Sequence, residues 1–285
     1  MSVKLVIDSA SDYSKAQADA LGMYYAPLRT RFGTEEFRDG VDLSREEFYQ
    51  RLASGTELPT TSQPTPFDFE QHYQEIVGAG NEAVVITLSG KLSGTAQSAR
   101  IAAEPYGDKV VVVDSETVTV AEHLLVDYAL RILDQYDSAA ALAEELNRVK
   151  GRVCVLGVVD TLEYLVRGGR LSKTAGFAGS LLGIKPILTV TDGELTVLGK
   201  ARGARQSSAF LNNAIAQRGG IDPDMPFAVG YSGTDNSNLD AYVEQNRSIW
   251  EPITDQLPVI TIGCAIGTHA GPGLFGVAFF TKNQG

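Results

Sequence analysis

The spacing of hydrophobic and polar residues in the first half of the chain alternates between strand and helix patterns. Short apolar runs, at Lys4 to Ile7, Ala83 to Leu88 and Val110 to Val113, are bounded by polar loops and predict strands. Helical segments separate them, and Ser14 and Thr65 are the expected N-terminal caps of two of these helices. This alternation predicts a doubly wound parallel sheet. Four consecutive valines at 110–113 have no polar face, so we expect that strand to be fully buried.

Two segments add detail to this first half. Residues 24–41 alternate in strand fashion, with turn signals at Gly33-Thr34 and Asp39-Gly40, and predict a small hairpin insertion. The segment from about Val118 to Leu133 is apolar on most sides, which predicts a helix in the centre of the molecule.

The second half mixes hairpin and helix signals. Thr191-Asp192-Gly193-Glu194 lies between two apolar runs, and Asp-Gly favours a tight type I′ hairpin turn. Helices are expected over 204–217 and 238–250, with strands near Val153, Phe227, Val259 and Phe275. The expected fold class is therefore α/β, with a doubly wound parallel-sheet N-terminal domain over residues 1–151 and a second α/β domain with a mixed sheet over 152–285.

Composition and charge narrow the classes of function. The 285 residues are 44% hydrophobic and 21% charged, as in a globular protein, and the net charge is −11. A chain this acidic is not expected to bind nucleic acid or to rest on an anionic membrane. No apolar run is long enough to cross a bilayer, and the first residues have a strand pattern instead of a signal peptide, so we expect no stable membrane insertion and a cytoplasmic protein.

The cysteine and histidine residues indicate neither a disulfide framework nor a metal site. Cys154 and Cys264 lie in or beside apolar runs, so free, buried thiols are expected. His72, His123 and His269 are far apart and no metal-ligand spacing is present. Without a metal motif or a P-loop, we expect no metal and no cofactor.

Hydroxyl-rich loops follow the predicted strands, where α/β sheets usually bind ligands. Ser93-Gly94-Thr95 lies where a helix begins, so its backbone N–H groups and the helix dipole favour a single carboxylate. For Ser11, Asp12 and Ser115, helix capping or local turn bonding is the favoured interpretation.

Two further segments could contact a ligand. Thr60-Thr61-Ser62-Gln63-Pro64 holds its hydroxyl groups on an extended stretch before proline, although a plain loop is an equal alternative. His269 lies among glycines and a proline, where a surface turn and a ligand contact are both open. His72 and His123 fall in predicted helices and are interpreted as structural.

These motifs, in this order, resemble the DegV family of bacterial fatty-acid-binding proteins, which includes the acyl-carrying subunits of fatty acid kinase. The resemblance spans essentially the whole chain. The segments that carry it are Val6-Ile7-Asp8-Ser9, Thr60-Thr61-Ser62-Gln63-Pro64, Leu88 through Gln97, Val113-Asp114-Ser115, Arg167-Gly168-Gly169-Arg170-Leu171-Ser172, Gly183-Ile184-Lys185-Pro186 and Gly267-Thr268-His269-Ala270-Gly271-Pro272-Gly273.

The resemblance implies a long-chain fatty acid as the ligand, with its carboxylate bound by Thr61, Ser93 and His269. The amide of Gly94 is an additional donor at the helix start. Gly90 stands where many relatives would have a serine, which affects only the expected shape of that loop. The tail needs an apolar tunnel, which could include Phe177, Leu181, Leu182, Ile184 and Ile187, although ordinary core packing is the better interpretation of each.

The resemblance also implies a partner, an ATP-dependent fatty acid kinase catalytic subunit that would phosphorylate the presented carboxylate. Arg170 matches the family's partner-facing segment, with a structural salt bridge as the alternative, and Arg202 is a weaker candidate of the same kind. The protein itself is then expected to be a non-catalytic carrier. The alternative is a serine-type acyl hydrolase with Ser93 as nucleophile and His269 as base, although the G-x-S-x-G motif is absent. No sequence element would hold ATP for a phosphotransferase acting alone.

Overall fold

A computed structural model describes residues 2–55, 58–171 and 183–282 of the chain. Its strands are β1 (Val3–Asp8), β2 (Tyr24–Ala26), β3 (Arg29–Phe32), β4 (Glu35–Arg38), β5 (Thr60–Ser62), β6 (Glu82–Thr87), β7 (Val110–Asp114), β8 (Val153–Val158), β9 (Ile184–Thr191), β10 (Glu194–Arg202), β11 (Phe227–Tyr231), β12 (Val259–Thr261) and β13 (Phe275–Phe280). Its helices are α1 (Lys15–Ala20), α2 (Arg45–Ser54), α3 (Pro66–Gly78), α4 (Thr95–Ala103), α5 (Val120–Ile132), α6 (Ala139–Val149), α7 (Glu163–Arg167), α8 (Gly203–Gln217), α9 (Ser237–Gln245), α10 (Arg247–Trp250) and α11 (Cys264–Ala270).

The first sheet is parallel and has four strands in the order β2-β1-β6-β7. Helices α3 and α4 cover one face, and α5 and α6 cover the other. Ser14 and Thr65 are the N-caps of α1 and α3, as predicted, and each forms a capping box. The predicted fold class, with a doubly wound parallel sheet in the first half, is confirmed.

Strand β7 is at the edge of this sheet, and its burial differs from the prediction. Val110 and Val113 are buried, but Val111 and Val112 are only partly so. The expectation of full burial was wrong, because the sequence pattern does not reveal that β7 has a neighbouring strand on one side only.

A separate three-stranded antiparallel sheet has the order β4-β3-β5. The predicted hairpin is therefore present, but it is shorter than residues 24–41. Tyr24–Ala26 pairs in parallel with β1 instead, and Tyr25 and Ala26 are buried there. The third strand, Thr60–Ser62, adds to β3 and places Thr61 opposite Thr30.

The second sheet has six strands in the order β10-β9-β8-β13-β11-β12, and only β11 and β12 pair in parallel, so the predicted mixed sheet is confirmed. Asp192 and Gly193 have φ angles of 50° and 79°, as a type I′ turn between β9 and β10 requires. Helix α5 packs against both large sheets, which confirms its predicted central place. All strands of this sheet lie after residue 152, while the division into two domains at residue 151 stays a prediction.

Two segments of the second half differ from the prediction. The helix expected over 238–250 is two helices, α9 and α10, separated at Asn246, whose φ of −123° is not helical. Helix α11 was not predicted, because Gly267 has low helix propensity and glycines flank the segment. Tertiary packing favours it, since a Cβ at Gly267 would lie 2.7 Å from the ring of Phe48, so only glycine permits this close approach.

No helix among the described residues is both long enough and apolar enough to span a bilayer.

Candidate ligand-binding site

A cavity of about 400 Å³ lies where loops of the first sheet meet the three-stranded sheet, the β9–β10 hairpin and helix α11. Most of the residues that line it are apolar, and a smaller number are polar. The described residues that line it are Leu28, Thr61, Ser62, Gln63, Leu88, Leu92, Ser93, Val118, Thr119, Leu165, Arg170, Leu188, Leu195, Ala265, Ile266, His269, Ala270 and Leu274.

Thr61 and His269, which are 208 residues apart, meet at the polar part of this cavity. Oγ1 of Thr61 lies 2.7 Å from Nε2 of His269. Strand β5 supplies Thr61 and helix α11 supplies His269, so the contact joins the three-stranded sheet to the C-terminal part of the chain. Both side chains are partly buried.

The imidazole of His269 is neutral at pH 7. Burial lowers its pKa to about 4, and the nearby positive charge of Arg170 contributes in the same direction. Its second nitrogen, Nδ1, is buried and has no hydrogen-bond partner among the described residues.

Ser93 and Gly94 lie at the start of α4. Oγ of Ser93 is 2.9 Å from Oγ1 of Thr95 and accepts the N–H of Thr95 at 3.3 Å. Ser93 lines the cavity, whereas Gly94 lies beside it and outside its described lining. A Cβ at Gly94 would be 2.6 Å from Cδ of Gln63, so glycine permits the Gln63 amide to approach the helix start.

Arg170 and Arg202 occupy different surroundings. Arg170 lines the cavity, where its Nε donates to the carbonyl of Leu92 at 3.2 Å and its Nη1 to the carbonyl of Gly168 at 2.7 Å. Burial lowers the pKa of its guanidinium, and no acidic partner faces it within the described part of the chain. The alternative of a structural salt bridge therefore finds no support there. Arg202 is exposed at the end of β10 and is outside the cavity lining.

The geometry does not assemble a hydrolase triad from the described residues. Ser93 bonds to Thr95 and His269 bonds to Thr61, so the two proposed partners of the hydrolase alternative are not hydrogen-bonded to each other. No carboxylate orients Nδ1 of His269 in the described part of the chain.

The apolar lining was the part of the site that sequence reasoning missed. Ile187 is buried in the core of the six-stranded sheet, while its neighbour Leu188 faces the cavity, as alternation along a strand requires. Leu195 faces the cavity from β10, and Ile184 is not in the described lining. The alternation around Ile187 is the signal that could have identified Leu188. Phe177, Leu181 and Leu182 lie outside the described residues.

Buried carboxylates anchor the start of helix α11. Oδ1 of Asp12 accepts the N–H of Gly263 at 2.8 Å, and Asp39 accepts the N–H groups of Cys264 at 3.1 Å and Ala265 at 2.8 Å. Asp12 also accepts the hydroxyl of Thr119 at 2.6 Å. Asp12 therefore bonds at a helix start, as the capping interpretation allows, but its partners are distant in sequence and are brought together only by folding. Ser115 does bond locally, to the carbonyl and the N–H of Thr117.

The remaining histidines and the cysteines have structural surroundings. His123 stacks on Tyr13 with ring centroids 4.0 Å apart, and its Nδ1 is 2.9 Å from the carbonyl of Ser11. Nε2 of His72 is 3.2 Å from the carbonyl of Tyr25. Cys154 and Cys264 are both free thiols, Cys264 buried and Cys154 partly so.

The fold and the cavity define an α/β protein with two large sheets and a mostly apolar cavity in which Thr61 contacts His269. The family profile described as "Uncharacterised protein, DegV family" matches residues 2–282, and the chain belongs to the DegV family. A DegV domain-containing protein of Caldanaerobacter subterraneus is 34% identical over 288 residues, which cover 98% of this chain and 99% of that protein.

Solved structures of the family are similar over their whole length. A DegV family protein from Thermus thermophilus, described by its fatty acid binding, is 30% identical with a TM-score of 0.86, and the match covers 99% of this chain and 100% of that one. DegV from Bacillus subtilis, described as a fatty acid binding protein, is 27% identical with a TM-score of 0.83 and the same coverage. The predicted family resemblance is confirmed.

Proposed function

We propose that this protein binds a long-chain fatty acid, with the carboxylate at Thr61, Ser93 and His269 and the tail in the apolar part of the cavity. We call these three residues the head site. The observation that carries the proposal is the 2.7 Å contact of Thr61 with His269 at the polar part of a cavity otherwise lined mostly by apolar side chains. The fatty-acid-binding relatives from Thermus thermophilus and Bacillus subtilis support the same class of ligand.

The protonation of His269 determines what Thr61 can offer to a carboxylate. A proton on Nδ1 would be buried without an acceptor, which is costly, so we infer that Nε2 carries the proton and donates it to Oγ1 of Thr61. The hydroxyl proton of Thr61 is then free to point at the ligand. In the opposite tautomer that proton would be used on His269, and Thr61 could not donate to a carboxylate.

The remaining donors and the local charge also suit an anion. Ser93 lines the cavity, and the N–H of Gly94, beside the cavity, lies at the start of α4, where the helix dipole favours negative charge. Arg170 is the charged residue among the described lining, and it is positive. Hydrogen bonds to a charged group contribute about 1.5–3 kcal/mol each, which offsets the desolvation of the carboxylate.

The size of the cavity suits a long acyl chain. A cavity of about 150 Å³ accommodates the six carbons of benzene, so one of about 400 Å³ corresponds to roughly 16 carbons. Burial of each CH₂ contributes about 0.8 kcal/mol, or on the order of 12 kcal/mol for such a chain before the cost of association. The tail therefore supplies most of the affinity, and the head site fixes the orientation.

We further propose that the protein is a carrier without catalytic activity of its own, and that it presents the carboxylate to an ATP-dependent fatty acid kinase catalytic subunit. This step rests on the family resemblance of the Arg167–Arg170 segment. Arg170 borders the head site, and the exposed guanidinium of Arg202 is available to a partner surface.

Ligand binding is tested by denaturing the purified protein, extracting it with organic solvent and identifying released acids by mass spectrometry. We expect a stoichiometric long-chain fatty acid. A preparation that contains no acid and also fails to take up added palmitate would overturn the proposal. Incubation with an activated acyl ester tests the hydrolase alternative, which requires turnover that Ser93→Ala abolishes.

Presentation is tested with a bacterial fatty acid kinase catalytic subunit, ATP and the palmitate-loaded protein, with acyl phosphate trapped by hydroxylamine. We expect Arg202→Ala to lower the rate of trapping without changing the Kd for palmitate. If the wild-type protein binds palmitate but yields no acyl phosphate, the presentation step is wrong and the binding proposal stands.

A further inference from the structure

Gly168 contacts the head site, although its backbone does not require glycine. It ends α7 with φ −71° and ψ −7°, a conformation that any residue adopts. A Cβ built at this position would nevertheless overlap Nδ1 of His269 and lie 2.9 Å from its Cε1. We propose that Gly168 is a positioning residue of the head site, whose missing side chain leaves the space in which the His269 imidazole must lie to bond Thr61.

The imidazole cannot move away from a side chain at position 168 without losing its contact with Thr61. Its other edge is held by the 2.7 Å contact with Thr61. The helix that carries it is fixed at its start by Asp39, and Gly267 packs closely against Phe48. A methyl group at position 168 would therefore displace the ring from Thr61, since the backbone on both sides is anchored.

The same turn also supports the approach to Ser93. The carbonyl of Gly168 accepts from Nη1 of Arg170, and Nε of Arg170 donates to the carbonyl of Leu92, the residue before Ser93. The Arg167–Arg170 turn thus contacts both walls of the head site. We therefore infer that this turn helps to position the head site, in addition to any contact with a partner. This role rests on the proposed fatty acid binding.

Gly169 provides a matched control. It is exposed, its φ is +71°, and a Cβ there would meet no atom within 4 Å. Alanine at position 169 strains the backbone and lowers stability, but it leaves His269 in place. The two neighbouring glycines therefore separate an effect on the head site from an effect on the fold.

The test compares Gly168→Ala with Gly169→Ala. We expect Gly168→Ala to raise the Kd for palmitate about 2- to 10-fold, because Thr61, which donates to the carboxylate, loses the neutral hydrogen bond from His269 that orients it. We expect Gly169→Ala to lower the melting temperature while the Kd stays near the wild-type value. If Gly168→Ala binds palmitate as the wild type does, the proposal is wrong.

A ligand-free readout makes the test independent of the proposed function. In NMR titrations of the imidazole nitrogens, Gly168→Ala should raise the pKa of His269 from about 4 towards 6.5, because the displaced ring is more hydrated. An unchanged His269 titration in Gly168→Ala would overturn the positioning role. A wild-type protein that does not bind palmitate would instead overturn the proposed function and leave this readout valid.

The combination with His269→Ala completes a double-mutant cycle. Once the imidazole is removed, a Cβ at position 168 meets only the carbonyl of Tyr164 at 3.1 Å, outside the head site, so Gly168→Ala should produce no further change in Kd. If Gly168→Ala alone fails to fold, adding His269→Ala should restore folding, because it removes the overlap. Equal effects of Gly168→Ala in the presence and absence of His269 would show that Gly168 acts elsewhere.

Discussion

The two ends of helix α11 have different polar surroundings: carboxyl groups at the start, and a hydroxyl and a neutral imidazole near the end. At its start, the carboxyl groups of Asp12 and Asp39 are buried and accept the N–H groups of Gly263, Cys264 and Ala265. Near its end, His269 contacts the hydroxyl of Thr61 in a cavity whose described lining contains no acid. Asp8 and Glu122 are also buried, and Glu122 lies near Asp8 and Asp12.

The difference indicates how the chain separates structural from binding roles. The oxygens of Asp12 and Asp39 are occupied by donors of this chain, three backbone N–H groups and the hydroxyl of Thr119, so these acids fix loops. The hydroxyls of the head site are neutral, and the tautomer inferred for His269 leaves Thr61 with a proton to donate. Helix α11 joins the two regions, since the acids at its start determine where His269 lies at its end.

The largest expected effect is on binding. Thr61→Val combined with Ser93→Ala removes two donors to the carboxylate, and should weaken palmitate binding by about 3–6 kcal/mol, measured by isothermal titration calorimetry. The free energy of unfolding without ligand should fall by a smaller amount, about 1–3 kcal/mol, because His269 and the N–H of Thr95 lose their partners. Leu195→Val in the cavity wall is the control and should cost much less, since it removes one methylene contact. Equal losses from both changes would contradict the head site.

The next effect concerns the fold. Asp39→Ala leaves the buried N–H groups of Cys264 and Ala265 without an acceptor, and should lower the free energy of unfolding by about 3 kcal/mol in urea denaturation. Asp42→Ala is the control, because this exposed carboxylate pairs with Arg38 at the surface and contributes about 0–1 kcal/mol. Similar losses for both variants would contradict the anchoring of α11 by Asp39.

A smaller effect depends on pH and comes from His269. Its pKa is 6.5 in the unfolded chain and about 4 in the folded protein, so between these values the unfolded chain binds more protons and acid favours unfolding. Lowering the pH from 7.5 to 5.0 should cost the wild type about 2 kcal/mol more than His269→Gln, which lacks this titration. The measurement is urea unfolding of both ligand-free proteins at the two pH values, in which contributions of other groups cancel. An equal pH dependence would show that His269 titrates normally in the folded state.

The smallest effect is expected at Glu122. Burial, followed by the neighbouring charges of Asp8 and Asp12, raises the pKa of its carboxyl well above the usual range, which favours the neutral form. Glu122→Gln replaces one neutral side chain by another of the same shape and should change the free energy of unfolding by less than about 1 kcal/mol. A loss as large as that of Asp39→Ala would mean that Glu122 is charged.

Much of the fold was predictable because it depends on local patterns. The capping residues Ser14 and Thr65 and the Asp192-Gly193 turn lie next to the elements they begin or connect, so the chain shows them directly. The edge position of β7 and the parallel pairing of Tyr24–Ala26 depend on which strands become neighbours, and the burial pattern along one strand does not contain that information.

The candidate site also has a part that local sequence patterns indicate and a part that depends on long-range packing. Thr61, Ser93 and His269 lie in short local motifs that made them candidates, and the resemblance to the DegV family assigned them to the carboxylate. Their grouping around one cavity could not be read from spacing, since 208 residues separate Thr61 from His269. The same is true of the anchoring of α11 by Asp39 and of the space that Gly168 leaves for the imidazole. Residue type sets which bonds a side chain can form, whereas its partner depends on the long-range packing of both sheets around α5.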